Sequence, residues 1–190
     1  MYCAVDDPYC YRGTTVLKNR LGLREQADLD AFEAEATAQR FSEPLPTGRF
    51  DVRHYRAVHR HIFGDVYRWA GRFRSVRIAK GSSMFCYPEH IADQMARVFD
   101  GPRNDGCLAD LPVDLFALRS ARFLSELNAI HPFRDGNGRA QLAFFALLAD
   151  RAGRPLKLRR LKAESFLAAM IESFHGREEK LIGEIERLSS

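Results

Sequence analysis

"HPFRDGNGR", residues 131–139, packs a histidine, an aspartate, two arginines and two glycines into one short stretch. Strong apolar helical patterns stand on both sides of it. On the N-terminal side, "PVDLFALRSARFLSELNAI" (112–130) places Phe116, Phe123, Leu124, Leu127 and Ile130 on one stripe. On the C-terminal side, "GRAQLAFFALLADRAG" (138–153) is apolar nearly all round, the pattern of a helix surrounded by other helices. The stretch therefore reads as a loop joining two central helices, and its charged residues need a reason to be there.

Working outward, the rest of the chain is also mostly helical. "REQADLDAFEAEATAQRF" (24–41) has apolar residues at mixed three and four spacing, and "SEPLPTGRF" (42–50) ends it with two prolines and a glycine. "DVRHYRAVHRHIFGDVY" (51–67) restarts a helix with Asp51 as N-cap and Val52, Tyr55, Val58, His59 and Ile62 on one side; Gly64 is expected to end it. "RSVRIAKGSSMFCY" (74–87) differs: Val76 and Ile78 alternate with Arg77, and Gly81-Ser82-Ser83 offers a turn before Met84 and Phe85. That predicts a short hairpin. Pro88 opens the next helix, Gly153 is placed to stop the buried one, and "ESFLAAMIESFHGREEKLIGEIERL" (164–188) closes the chain with a break near Gly176. The expected fold is all-α, one domain over 1–190: a helical bundle with a central helix–loop–helix and one small hairpin.

Composition agrees with a globular chain of 190 residues, 46% hydrophobic and 28% charged. The longest strictly apolar run, Leu142 to Ala149, is far too short to span a bilayer. "MYCAVDDPYC" has neither a basic nor an apolar leader segment. Cys3, Cys10, Cys86 and Cys107 show no metal spacing and read as reduced thiols of a cytoplasmic protein, a Cys3–Cys10 bridge being the alternative. The net charge of +4 is partly concentrated in "RAGRPLKLRRLK" (151–162). This segment reads as a solvated connection or as a docking patch for an acidic partner. No aromatic residues interleave with its charges, which speaks against single-stranded nucleic acid.

The loop itself carries chemistry. Gly136, Asn137 and Gly138 open the buried helix, where free backbone N–H groups and the helix dipole favour an anion. Arg139 adds a guanidinium suited to phosphate. Asp135, an acid beside an anion site, makes sense as a Mg²⁺ ligand, because Mg²⁺ favours one or two carboxylates plus phosphate oxygens. His131 has an ordinary pKa near neutrality and can accept a proton from an attacking hydroxyl. Phe133 is expected to anchor the loop. Each piece alone is an ordinary turn or helix end; the order of all of them between two strong helices is much more specific.

"HPFRDGNGR" resembles the signature loop of the Fic family, His-x-Phe-x-(Asp or Glu)-Gly-Asn-Gly-Arg. "YRGTTVLKNRLGL" (11–23), "FGDVYRWAGRFRSV" (63–76) and "KGSSMFCYPEHI" (80–91) also resemble Fic-domain segments, the last being similar to Fic toxins and type IV secretion effectors. The resemblance implies the Fic fold and transfer of AMP from ATP to a hydroxyl side chain of a target protein, with pyrophosphate released. It implies His131 as general base and Asp135 as the Mg²⁺ holder. It implies a nucleotide site at Phe133, Asp135, Gly136, Asn137, Gly138 and Arg139. The hairpin, Val76, Arg77, Ile78, Ala79, Lys80, Gly81, Ser82, Ser83, Met84 and Phe85, is similar to a flap that takes the target as an added strand.

One departure stands out. Adenylylating relatives continue Gly-Arg-x-x-Arg, and here "GRAQLAF" puts Leu142 at the second arginine. In the family that arginine helps hold the outer phosphates and is the partner of an inhibitory glutamate. No glutamate in the chain is followed by Gly or Asn, so the family's inhibitory motif is absent. That implies an inhibitor supplied in trans, a small helical antitoxin. Three functions follow: an AMP-transferase, a related transferase using another nucleotide or phosphate donor, or a non-enzymatic binder. The intact His131 and Asp135 argue against the third. The target, its modified residue and any export segment beyond Ser190 are left open.

Overall fold

The computed structural model describes residues 7–81, 83–104 and 106–189, the side chains of 102–104 excepted. Among them are seven α-helices and one two-stranded sheet. Helix α1, Gln26–Ser42, is rich in alanine and buries Leu29 and Thr37. Helix α2, Val52–Phe63, starts where the Asp51 carboxylate accepts the His54 N–H at 2.8 Å, as a capping aspartate does. It buries His54, Tyr55, Val58, His59, Ile62 and Phe63, while Val52 is half-buried. A single 3-10 turn at Pro88–His90 leads into α3, Ile91–Asn104.

Helices α4, Val113–Ile130, and α5, Asn137–Arg151, are the predicted central pair. Helix α5 packs against both α2 and α4. Its inward residues Ala140, Ala143, Phe144, Phe145, Leu148 and Ala149 are at most 6% exposed. The Phe144 ring meets Tyr55 at 5.3 Å and Phe99 at 5.4 Å, so aromatic packing ties three helices into one core. Gly153 takes a φ of 72° just after α5, the left-handed turn expected of it. Helix α6, Ala163–Phe174, and α7, Glu179–Ser189, flank the break at Gly176, and α7 lies along α4. The 151–162 segment is the connection between α5 and α6, with one 3-10 turn at Leu158–Arg160.

The hairpin is shorter than the sequence suggested. Strand β1 is Ala79–Lys80 and β2 is Ser83–Met84, antiparallel, with Ala79 opposite Met84 and Lys80 opposite Ser83. Ile78 and Phe85 are buried, so these apolar residues root the ribbon in the core instead of extending the paired strands. Ser82 and Cys3 lie outside the described residues, and with Cys3 the alternative Cys3–Cys10 bridge; Cys10, Cys86 and Cys107 are free thiols. Among the described residues no helix is long and apolar enough to cross a membrane.

Candidate active site

The 131–139 loop is shaped by its own side chains. His131 ends α4 in the left-handed region with a φ of 49°, and its N–H still donates to the Leu127 carbonyl. Four residues later Asn137 closes the loop: its Oδ1 accepts the Phe133 N–H and its Nδ2 donates to the Phe133 carbonyl, both at 2.9 Å. Phe133 is fully buried between Tyr55 and His59, with its ring 3.7 Å from the His59 ring. Phe133 is thus the anchor of the loop rather than part of the cavity wall, and the Asn137 side chain is spent on holding it.

Gly136 caps α5 with a φ of 75°, and a Cβ there would stand 2.4 Å from the Phe63 ring. Only glycine meets both demands. Beyond it, the N–H groups of Asn137, Gly138 and Arg139 have no hydrogen-bond partner among the described residues, since the first helical bond runs from Ala140 to the Gly136 carbonyl. A Cβ on Gly138 would meet nothing within 4 Å. The helix start is therefore open, bare and electropositive.

A cavity of about 560 Å³ lies over it. His131, Gly138, Arg139 and Leu142 line one side, and Lys80 and Phe85 of the hairpin another. Phe166, Met170 and Phe174 of α6 make an apolar wall, large enough to receive a flat base.

His131 is 6% exposed, and its ring is stacked on Phe85 at 3.9 Å. Burial, with Arg74 and Lys80 nearby, pushes its pKa down to about 3, so it is neutral at ordinary pH. Its Nδ1 lies 3.1 Å from the Asn128 carbonyl, which assigns the proton to Nδ1 and the lone pair to Nε2. A neutral imidazole in this tautomer is a proton acceptor.

Asp135 is partly buried, which raises its pKa, as does the nearby Glu33; its Oδ1 takes the Gly136 N–H. Oδ2 has no partner among the described residues. No group of three or more His, Cys, Asp or Glu able to hold a metal exists among them. A cation here would share one carboxylate with ligand oxygens and water, a donor set that fits Mg²⁺.

Sequence reasoning missed four residues that support this site. Arg74, 2% exposed, donates its Nε–H to the His131 carbonyl at 2.8 Å and its other N–H groups to the carbonyls of Ile130, Val76 and Cys86. It binds the end of α4 to the root of the hairpin. Arg134 pairs with Asp7 at 2.6 Å with both side chains at most 7% exposed, fastening the loop to the N-terminal segment. Glu33 of α1 pairs with Arg139 at 2.5 Å, and Tyr67 donates its hydroxyl to the other Glu33 oxygen. The Arg139 guanidinium also lies 4.5 Å over the Phe63 ring. Tyr67 and Arg74 sit in the quoted "FGDVYRWAGRFRSV", which was a signal for importance but not for these partners.

Comparison with known proteins places this architecture. The Fic/DOC family model matches residues 49–149, more than half of the chain. The chain belongs to the Fic/DOC family. It is 46% identical over 188 residues to "Probable protein adenylyltransferase y4lH" of Sinorhizobium fredii, covering 98% of each chain. It is 34% identical to protein adenylyltransferase VbhT of Bartonella schoenbuchensis, of whose length it spans 40%. The N-terminal Fic domain of a VirB-translocated Bep effector from Bartonella quintana, solved with bound ADP, superposes with a TM-score of 0.85. That match is 26% identical and covers 95% of this chain and 93% of the other.

Proposed function

We propose that this chain is a protein adenylyltransferase, moving AMP from ATP to a hydroxyl side chain of a target protein and releasing pyrophosphate. The observation that carries this is one juxtaposition. A neutral His131 and the three unpaired N–H groups at the start of α5 belong to one short loop, and His131, Gly138 and Arg139 line a single cavity. The names of the 46% and 34% identical relatives support the same activity.

In this reading the phosphates rest on the N–H groups of Asn137, Gly138 and Arg139, and the Arg139 guanidinium orients the β-phosphate. The base lies along the α6 wall. The target hydroxyl attacks the α-phosphorus while its proton passes to Nε2 of His131; the bond to the β-phosphate oxygen breaks, and pyrophosphate leaves with that electron pair. Asp135 would hold Mg²⁺, which when bound neutralises phosphate charge. The hairpin flap, Val76 to Phe85, takes the target backbone as an added strand, one edge of a two-stranded ribbon being unpaired by its partner.

A second reading shares the site but changes the donor. Leu142 stands on the cavity wall, half-buried, where the family's second arginine would put a charge. A nucleotide or phosphate donor that needs less from its outer phosphates fits this wall. Control by a small helical antitoxin in trans follows from the absent in-chain motif. The place of action is the bacterial cytoplasm, or a host cell where the chain is delivered as part of an effector like the VirB-translocated Bep proteins.

Incubation with labelled ATP, Mg²⁺ and bacterial lysate, beside a His131→Ala control, tests the proposal. Labelled protein in the first and none in the second is expected. Labelling from another donor and not from ATP selects the second reading.

A further inference from the structure

We infer that Glu33 selects the charge state of the nucleotide: it makes the phosphate end reject a free polyphosphate and accept one already neutralised by a divalent ion. The inference rests on the reading that the phosphates bind at the start of α5.

Three charged side chains cluster at the start of α5, where this reading puts the outer phosphates. Arg139 is the cation, and it is already paired with Glu33 at 2.5 Å through Nη2. The second anion is Asp135, close enough to Glu33 to feel its charge. Position 142, which also faces this cavity, is a leucine. These three side chains sum to one negative charge; the Arg134–Asp7 pair behind Asp135 is neutral, and Lys80 stands on the hairpin side of the cavity. A bare triphosphate would add its own charge to that sum, whereas a divalent ion beside Asp135 would reverse it.

Glu33 is built to stay. Tyr67, 2% exposed, holds its second oxygen, so the carboxylate cannot swing out to solvent without leaving a buried hydroxyl unpaired. Arg139 is held as well, between Glu33 and the Phe63 ring. Its Nε and Nη1 have no partner among the described residues, so those donors stay available to a phosphate.

Two effects of Glu33 oppose each other, and their sizes decide. Holding one arginine rotamer favours ligand binding by severalfold, the entropy of a single flexible side chain. A carboxylate on the far side of that arginine repels a phosphate bound to the arginine, across a separation of roughly 6–7 Å if the arginine bridges the two. At an effective dielectric of about 20 this is worth roughly ten- to a hundredfold in affinity for each phosphate charge left unneutralised. Repulsion is the larger effect for free ATP, and a bound divalent ion cancels most of it.

Calorimetric titration with ATP in EDTA and with ATP in Mg²⁺ tests this on the wild type, Glu33→Gln, Tyr67→Phe and Arg139→Ala, each checked by thermal melting. The wild type is expected to bind Mg²⁺–ATP at least tenfold more tightly than free ATP. Glu33→Gln drops the charge, keeps one acceptor oxygen for Arg139 and turns an amide N–H donor toward the Tyr67 hydroxyl, which can accept it; it should bind free ATP at least about tenfold more tightly than the wild type does and so close the gap. Tyr67→Phe keeps the charge and should keep the gap. Loss of affinity for both forms in Glu33→Gln would mean that the carboxylate only positions Arg139, and unchanged affinity for both would mean that it does neither; both results overturn the inference. A Glu33→Gln protein that does not fold transfers the decision to Tyr67→Phe, where a closed gap overturns it. Arg139→Ala separates the two levels. If ATP binds the wild type and this variant equally, the phosphates lie elsewhere, and the functional reading fails together with the inference. If Arg139→Ala loses ATP while Glu33→Gln changes nothing, only the inference fails.

Discussion

Two buried histidines flank the same loop and do opposite work. His59 is fully buried, and both its nitrogens are spent on backbone: Nδ1 accepts the Gly71 N–H at 3.0 Å, and Nε2 donates to the Asp135 carbonyl at 3.0 Å. His131 spends Nδ1 on Asn128 and borders the cavity. Burial lowers both pKa values to about 3. The same desolvation therefore produces a structural pin in one place and a neutral proton acceptor in the other. What separates them is that His131 lines the cavity and His59 does not, not how far the pKa has moved. The loop divides the same way: Phe133, the Asn137 side chain and the Asp135 carbonyl belong to the pinned side, while Gly138, Arg139 and Leu142 belong to the open side.

The largest effect expected from breaking this division is on rate. His131→Ala should lower adenylyl transfer by about 10²–10⁴, the usual cost of losing a general base. His131 has a φ of 49°, so His131→Asn is the companion variant, because asparagine tolerates the left-handed region. Both should be inactive, and the asparagine variant should melt close to the wild type. Turnover at the wild-type rate in either would end the assignment.

The mirror experiment is His59→Ala, where the loss should fall on stability. The Gly71 N–H and the Asp135 carbonyl would be left buried without partners, and Phe133 would lose the ring packed 3.7 Å away. The cost is about 3–5 kcal/mol in urea unfolding. Activity measured well below the melting temperature should fall less than in His131→Ala. An unaltered unfolding midpoint would show that His59 pins nothing.

The open side of the loop was legible in the sequence and the pinned side was not. His131, Asp135, the glycines and Arg139 are consecutive, and their chemistry can be read without knowing the fold. The helices were legible because burial repeats at helical spacing, as in Phe116 to Ile130. The supports are contacts between distant parts of the chain: Arg134 with Asp7 is 127 residues apart, and Arg139 with Glu33 is 106. No local period signals such pairs. In sequence Glu33 is one of several polar residues on its helix, and Arg74 is one of two arginines in "GRFRSV". The hairpin was seen but drawn too long, because alternation of Val76, Ile78 and Phe85 marks inward-facing residues and not which of them are paired.

A smaller effect sharpens the comparison through pH. The unfolded chain protonates both histidines near 6.5, whereas the folded chain does so only near 3. The unfolded state therefore binds more protons between those values. The stabilising contribution is full above 6.5 and is lost as pH falls toward 3, by about 1.4 kcal/mol per pH unit for each histidine. Subtracting the pH slope of His131→Asn from that of the wild type should leave one histidine's share. Identical slopes would place His131 in contact with water and remove the ground for calling it permanently neutral.

The smallest expected effect is at Leu142, and it tests where the boundary between the two sides falls. Two outcomes were conceivable from sequence. In line with Phe145 and Ala149, a Leu142→Arg charge would be buried unpaired at a cost of several kcal/mol. On the cavity, it would add a second cation for the outer phosphates. Leu142 is half-buried and lines the cavity, while Phe145 and Ala149 are fully buried. The long stem of an arginine can cover the same wall and send its guanidinium into the open space. A charge-assisted hydrogen bond is worth about 1.5–3 kcal/mol, and ordering a long side chain offsets part of it, so ATP should bind about tenfold more tightly. The melt should stay within a few degrees of the wild type. Calorimetric titration and thermal melting of the single variant decide: unchanged affinity with a large fall in melting temperature would put position 142 on the pinned side, and with it the explanation of the missing arginine as an altered phosphate clamp would fail.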